Sequence, residues 1–506
     1  MSSPRLLIAL MLSAPLCAGL DFPALFGEGE PLGDGGYASE AFGQFSTPLG
    51  PWVEHSELGW LYIPDLPDGM WGGWVHHPRM EWLWFHPDLT PHFFRAASES
   101  WQYRAPKPAR SWYYDHFLAD WWRPGNHPDA FYIIALKTLD EAEATVAAAL
   151  PNLTSMSQYP EYTRADGGWT TREASWWTSG FWPGLIWQIY EHNPSAQWLI
   201  RARQWSAGLT TQQFNTTTHD IGFMLFCSFG QGYRLTGDAN YRQVLVNGAN
   251  SLNTRYNPTV GGTRSWSWGS WHGNNRFTII VDNMMNLELL FRAATMDGGD
   301  SAWYDHALQH ARTTIAEHMR PDGGSYHAVV FDERDGRVLE KRTYQGYSDS
   351  STWSRGQAWL IYGLALTYRE TGEADILEAT RRAVDYYLTR LPDDLVPYWD
   401  FQAPGIPETS RDTTAAAITA SALMELSLLA EDESESADYL AWAVAIARSL
   451  RDNYRDHDHA AILDEGTIFY LNNLRDTGVV YGDYYFVEAL LRYMSLIETG
   501  TLPYHR

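Results

Sequence analysis

Apolar positions recur along this chain with two different periods, and the change falls near residue 126. From residue 129 onward they return at helical spacing, as in Phe131-Ile134-Ala135-Leu139-Ala142 and Ala415-Ile418-Ala422-Leu426-Leu429. The pattern predicts twelve helices: 129–150, 179–193, 196–212, 220–235, 239–256, 281–297, 302–320, 356–372, 374–391, 412–431, 435–454 and 482–498. Twelve helices make six hairpins, and six hairpins closed into a ring give an (α/α)6 barrel over residues 126–506, a mainly α fold. The even-numbered helices start at polar or aromatic clusters: Trp177 and Ser179, His219 and Asp220, Asp282, Trp353 and Arg355, Arg411 and Asp412, Tyr481 and Asp483. With those helices inside, the clusters gather at one end of the barrel and line one pocket.

Before residue 126 the pattern alternates instead. Trp52 precedes Trp60 by eight residues, and the same spacing joins Trp74 to Trp82, Phe93 to Trp101 and Tyr113 to Trp121. Alternating aromatics broken by Pro and Gly predict short strand pairs, so residues 20–125 read as a small aromatic-rich β-repeat module. The aromatics form the core of small hairpins or a surface for polysaccharide contact. Residues 1–19 read as a signal peptide, with Arg5 before an apolar run from Leu6 to Leu16 and small residues at Ala18 and Gly19. That predicts a secreted or periplasmic protein without a membrane span, since the run is too short to serve as one.

Composition narrows the partner. The 506 residues carry 61 acidic against 36 basic side chains, a formal charge of −25, which argues against nucleic acid as a partner. Trp is abundant at 25 residues, which suits stacking on sugar rings. Loss of Cys17 with the signal leaves Cys227 alone, so no intramolecular disulfide supports the fold. No phosphate loop, nucleophile elbow or zinc spacing occurs, and no metal or cofactor is expected. The run Asp456-His457-Asp458-His459 reads as a solvated loop at a helix end.

Residues 165 to 495 resemble glycoside hydrolase family 88, the unsaturated glucuronyl hydrolases. The matching stretches are Trp177-Thr178-Ser179-Gly180-Phe181-Trp182-Pro183-Gly184, His219-Asp220-Ile221-Gly222-Phe223, Asp282-Asn283-Met284-Met285-Asn286-Leu287, Gly324-Ser325-Tyr326-His327, the run from Gln345 to Trp359, Arg411-Asp412 and Tyr481-Gly482-Asp483-Tyr484. The resemblance implies release of the 4,5-unsaturated uronic acid from lyase-generated oligosaccharides. The enzyme protonates carbon 4 and adds water at carbon 5, and the resulting hemiketal opens to free the aglycone. Such chemistry needs one carboxyl group that gives a proton and then draws one from water.

Carried over residue by residue, Asp282 is the acid/base and Asp220 its partner. Two carboxylates facing one pocket do not both ionise easily, so one pKa rises. A helix N-terminus acts in the opposite direction. Desolvation by Trp177, Trp268 and Trp359, together with Asp220, is expected to outweigh that pull and to place activity on the acidic side of neutral. Arg355 is read as orienting the anionic substrate or as half of a buried ion pair. Gln345 and His327 are read as donors to hydroxyl or carboxylate groups, His219 as a ring contact, and Trp353 and Trp359 as stacking on either side of the sugar. Asp412 is expected to cap its helix and to pair with Arg411. At Ile468-Phe469-Tyr470-Leu471-Asn472-Asn473 the chain departs from the small polar residues that the family tends to carry near the aglycone. The alternatives are the related unsaturated rhamnogalacturonyl hydrolases, against which His219-Asp220 argues, and a non-catalytic carbohydrate-binding protein.

Overall fold

The computed structural model describes residues 130–502 and, before them, eleven strands and one short turn between residues 29 and 122. The signal-peptide segment lies outside the described residues. Two compact units divide between Lys137 and Thr138.

In the first unit, strands β1 (Gly29–Pro31), β2 (Gly36–Ser39), β3 (Gly43–Leu49), β4 (Trp52–His55), β5 (Gly59–Tyr62), β6 (Gly73–His77), β7 (Glu81–Phe85), β8 (His92–Arg95), β9 (Ser100–Arg104), β10 (Tyr113–Asp115) and β11 (Asp120–Trp122) follow one another in a single antiparallel sheet. Its register sets aromatic positions opposite one another, Trp52 to Tyr62, Trp74 to Trp84 and Phe94 to Trp101.

The second unit is mainly helical, and the division falls within the first of the helices. Its helices are α1 (Ala130–Ala149), α2 (Phe181–His192), α3 (Ala196–Ala207), α4 (Ile221–Leu225 continued through a π-turn, Phe226–Gly230, into Gln231–Thr236), α5 (Ala239–Asn253), α6 (Asn283–Ala294), α7 (Ala302–Glu317), α8 (Ser354–Thr371), α9 (Ala374–Leu388), α10 (Thr413–Leu429), α11 (Glu433–Asn453) and α12 (Val480–Thr499). Helix α2 packs on α4, α4 on α6, α6 on α8, α8 on α10, α10 on α12, and α12 back on α2, which closes an inner ring of the even-numbered helices. Burial explains the sorting. Helix α10 is buried from Thr413 to Ser427 without interruption, whereas α11 buries only Tyr439, Ala443, Ile446, Ala447 and Leu450. A helix apolar all round goes inside, and one with a single apolar stripe goes outside.

Small residues let the inner helices approach. A Cβ on Gly222 would stand 2.7 Å from Asn286 Cα, and one on Gly363 would stand 2.3 Å from Met284 Cβ. Asn286 Oδ1 also accepts the Phe223 N–H at 2.9 Å, tying α4 to α6 just inside their first turns. Deeper along the inner helices, Arg369 pairs with Glu425 at 2.6 Å and with Glu288, while Arg492 pairs with Glu425 at 3.1 Å. These charges are buried and mutually compensated, as a desolvated charge must be.

Strands join the helices in places that helical periodicity does not reveal. A hairpin, β12 (Gln158–Thr163) with β13 (Trp169–Glu173), precedes α2, and a short ladder pairs β14 (Tyr256–Asn257) with β15 (Gly262–Thr263). Strand β16 (Arg276–Ile280) leads into α6 and pairs with β17 (Ala328–Asp332), which pairs with β18 (Val338–Arg342). The β16–β17 register sets Ile280 opposite Ala328, and Val281 N–H donates to His327 O at 2.9 Å. The next residue along the chain is Asp282, so the ladder delivers Asp282 and His327 to the same place.

Candidate active site

A cavity of about 640 Å³ opens at the end of the barrel where the even helices begin. Trp177, His219, Asp220, Trp268, Asp282, Gln345 and Arg355 all line it. The helix starts therefore converge as the periodicity predicts, with α2, α4, α6 and α8 each contributing.

Asp220 and Asp282 stand at N-cap positions, yet neither side chain makes the capping hydrogen bond. That leaves both carboxyls available for other work, in contrast to Asp412, whose Oδ1 accepts the Thr414 N–H at 3.2 Å and caps α10. Asp282 is 8% exposed, and its Oδ2 has no hydrogen-bond partner among the described residues. Burial pushes its pKa up to about 7, with Arg355 opposing the shift and the charge of Asp220 adding to it. The direction agrees with the sequence reading, but the aromatic contribution is distributed differently. Trp268 is 48% exposed, and Trp359 is fully buried away from the cavity.

Asp220 accepts a hydrogen bond from Thr218 Oγ1 at 2.8 Å on one oxygen and faces His219 Nε2 at 3.2 Å with the other. Burial lowers the pKa of His219, so this ring is neutral near pH 7.

Three residues read from sequence as sugar contacts stand behind the wall instead. Trp359 packs its ring against Phe223, Tyr481 and Tyr485. Trp353 is 3% exposed, lying against His327 with ring centroids 4.7 Å apart and beneath the Arg355 guanidinium at 4.5 Å. Neither tryptophan is placed to stack on a sugar, because both sit on an inner helix or at its start and fill the space between neighbouring helices. His327 is also buried, and its Nε2 lies 3.7 Å from Asp282 Oδ2. It faces the acid rather than the cavity.

Arg355 is fully buried and largely committed. Its Nη1 donates to Asp412 Oδ2 at 2.9 Å and to Thr467 O, and its Nη2 donates to Ile468 O at 2.7 Å. The buried-ion-pair reading of Arg355 is thus the one realised. The expected Arg411–Asp412 pair is not formed, because Arg411 turns to Asp394 at 2.7 Å. Gln345 reaches the cavity but gives its Nε2 hydrogen to Ile468 O at 3.1 Å, joining two wall segments. Asp483 accepts the N–H groups of Ile462 and Leu463 at 3.0 and 2.9 Å, which makes it a loop anchor.

The sequence reading missed the β12–β13 hairpin wall. Glu161 and Arg172 form an ion pair there, and Trp176 Nε1 donates to Glu161 Oε1 at 2.7 Å. Arg172 is 39% exposed, and with Arg355 it completes the cations that line the cavity among the described residues. Trp266 and Tyr344 were also missed, whereas Phe469 belongs to the segment read from sequence as lying near the aglycone. With Trp268 they form an aromatic rim, Tyr344 lying 5.5 Å from Trp268 and 4.9 Å from Phe469 between ring centroids. The alternation Trp169-Thr170-Thr171-Arg172 was a usable signal for the hairpin.

Comparison with known proteins agrees with this geometry. The family model described as Glycosyl Hydrolase Family 88 matches residues 151–488. An unsaturated glucuronyl hydrolase of Formosa agariphila is 40% identical over 331 residues, which is 63% of this chain and 80% of that protein. An unsaturated chondroitin disaccharide hydrolase of Streptococcus pyogenes serotype M1 is 32% identical over 66% of this chain and 85% of its own. A crystal structure of an unsaturated glucuronyl hydrolase specific for heparin is 35% identical, with a TM-score of 0.68 over 72% of this chain and 97% of that one. Among the described residues, no helix is long and apolar enough to cross a membrane. The (α/α)6 architecture, the two uncapped aspartates in its mouth and these likenesses agree: the chain is a glycoside hydrolase and belongs to family 88.

Proposed function

We infer that the cavity takes the 4,5-unsaturated uronic acid at the non-reducing end of a lyase-generated oligosaccharide and hydrates its double bond, so that the aglycone leaves. The observation that carries this is Asp282, a buried cavity carboxyl that keeps its proton up to about pH 7 and has an unpartnered oxygen. A protonated carboxyl can donate to carbon 4. The carboxylate it becomes can draw a proton from the water that attacks carbon 5. Asp220 is positioned to hold sugar hydroxyls while its charge disfavours early ionisation of Asp282. Because the glycosidic bond itself is not attacked, the carboxyl-separation rules for ordinary glycosidases do not apply.

A panel of unsaturated disaccharides from chondroitin, hyaluronan, heparin, gellan, xanthan and ulvan tests the inference. Loss of the enoate ultraviolet absorbance is expected for at least one of them. A folded protein that consumes none would overturn it.

Beyond the uronic acid, Ile468, Phe469 and Leu474 supply an apolar wall next to the aromatic rim. A sulfate ester calls for a cation, and the two lining arginines are already paired with Glu161 and Asp412. We therefore assign a neutral, unsulfated next sugar as the preferred aglycone. The aromatic spacing of residues 20–125 supports a β-repeat module that contacts polysaccharide or a surface. The Arg5-led apolar run of residues 1–19 supports export to the periplasm or beyond.

A further inference from the structure

The run Asp456-His457-Asp458-His459 is a loop with His457 and Asp458 exposed, as its composition suggests, but Asp456 is not solvated. Asp456 is 7% exposed, and its Oδ1 accepts the N–H groups of Asp458 at 3.0 Å and His459 at 2.8 Å, with His459 Nδ1 at 3.1 Å. Its other oxygen, Oδ2, is buried and has no hydrogen-bond partner among the described residues. Asp464 Oδ1, nearby, is in the same condition. One donor atom each from Asp456, His459 and Asp464 lie within 4.8 Å of one another.

Two carboxylates whose ligand atoms stand this close, each with a buried oxygen lacking a partner, repel each other and forgo hydration unless a cation joins them. The arginines of this region are committed elsewhere: Arg455 pairs with Glu141 at 2.8 Å, Arg164 with Asp166 at 3.1 Å and Arg475 with Asp476 at 3.8 Å. His459 and Asp464 also line a solvent-connected cleft of about 310 Å³, which gives an ion a way in. We propose that Asp456, His459 and Asp464 form a binding site for one divalent cation of the zinc or manganese type, remote from the catalytic carboxyls. Two carboxylates with an imidazole suit those ions better than they suit magnesium or calcium, which favour all-oxygen shells.

The site ties the end of α11 to the segment that builds the cavity wall. Two residues beyond Asp464, Gly466 bridges to Thr477, and between these lie Ile468, Phe469, Asn472 and Leu474 of the cavity. Occupancy would fix the root of that segment, so the ion acts on stability and on substrate affinity, with no part in the proton transfers.

The test uses the full chain stripped with a chelator and then supplied with zinc, manganese or calcium chloride. Metal content and thermal unfolding are measured for wild type, Asp464→Asn and His459→Gln. Asp464 is the cleaner position, because its Oδ1 has no hydrogen-bond partner among the described residues, whereas Asp456 holds the turn through its Oδ1. The expected result is one zinc or manganese per chain and a rise in Tm of about 4 °C or more, with calcium less effective and both variants losing the rise. A second cluster, Asp140, Glu143 and His192, is a possible rival, so His192→Gln serves as the control and keeps the rise. No rise with any of the three ions, or an equal rise in Asp464→Asn, would overturn the proposal.

Discussion

His327 Nδ1 accepts the backbone N–H of Tyr344 at 3.2 Å, so the proton of this neutral ring sits on Nε2, which faces Asp282 Oδ2 at 3.7 Å. Burial, with Arg355 and His318 acting in the same direction, lowers the pKa of His327 to about 3, so the ring stays neutral throughout the working range. A neutral donor at that distance favours the carboxylate that Asp282 becomes after giving up its proton, without ionising it beforehand. His327→Phe removes the donor. We expect the Asp282 pKa to rise, the alkaline limb of kcat/KM to move to higher pH, and kcat to fall about tenfold. His327→Gln keeps a donor and should recover part of both effects. An unmoved limb in His327→Phe would reduce the residue to packing.

Asp282 carries opposite consequences for activity and stability. In the unfolded chain its carboxyl has the ordinary value of 3.8, and in the folded protein it titrates at about 7. Between those values the unfolded chain has lost a proton that the folded protein keeps. Stability therefore falls as pH rises from about 4 to about 7, and the loss is complete above that. Asp282→Asn cannot ionise. Its Tm should match wild type near pH 4 and exceed it at pH 8, while kcat drops at least a thousandfold. Asp483, pushed up to about 8 by burial, remains in both proteins and contributes a slope of the same sign. Activity of the wild type should decline as pH rises through about 7, because the starting form is the protonated acid.

Arg172 is the more accessible of the two lining cations, and its role is separable from catalysis. Arg172→Ala leaves Glu161 as an uncompensated anion in the wall that the anionic sugar must face, and should raise KM by roughly tenfold to a hundredfold and change kcat little. Kinetics on a single disaccharide decide it. A fall in kcat at constant KM would place Arg172 in the chemical step.

The Arg355–Asp412 pair is a structural joint. Asp412→Ala leaves Arg355 buried without its counter-charge and removes the cap of α10. A cost of about 3–5 kcal/mol in chemical denaturation is expected. Replacing both residues by apolar side chains should cost much less than the sum of the single changes. An additive double variant would mean that the two side chains act independently.

Selectivity follows from the wall at Ile468, Phe469 and Leu474. An unsulfated unsaturated disaccharide should be turned over at least tenfold faster than its sulfated counterpart, the difference expected from one missing charge-assisted contact. Equal rates would require a cation at the rim.

Much of the barrel was legible because an amphipathic or wholly apolar helix announces itself by period. The twelve expected segments correspond in order to α1 through α12, and the start of each even helix could be read from its polar cluster. Strands β16 to β18 were not legible, since five-residue runs such as Ala328–Asp332 lack the length to distinguish a strand from a helix fragment. The roles of Trp353 and Trp359 failed for a related reason. On an inner helix buried on every side, no periodicity separates a tryptophan facing a cavity from one facing a neighbour. The partner of Asp412 lies 57 positions away in sequence, and only the closed ring brings Arg355 to it in place of the adjacent Arg411. Asp456 was misread because its neighbours are polar, whereas its burial depends on the segment that folds over it.

The central claim, that Asp282 leads hydration of a double bond before the aglycone leaves, is tested most directly by following two signals in one reaction. Enoate absorbance and the reducing end of the released sugar are recorded together from the first turnovers on an unsaturated disaccharide. Hydration predicts that absorbance is lost in step with, or ahead of, release. Release of the aglycone while the absorbance persists would show direct cleavage of the glycosidic bond and contradict the account.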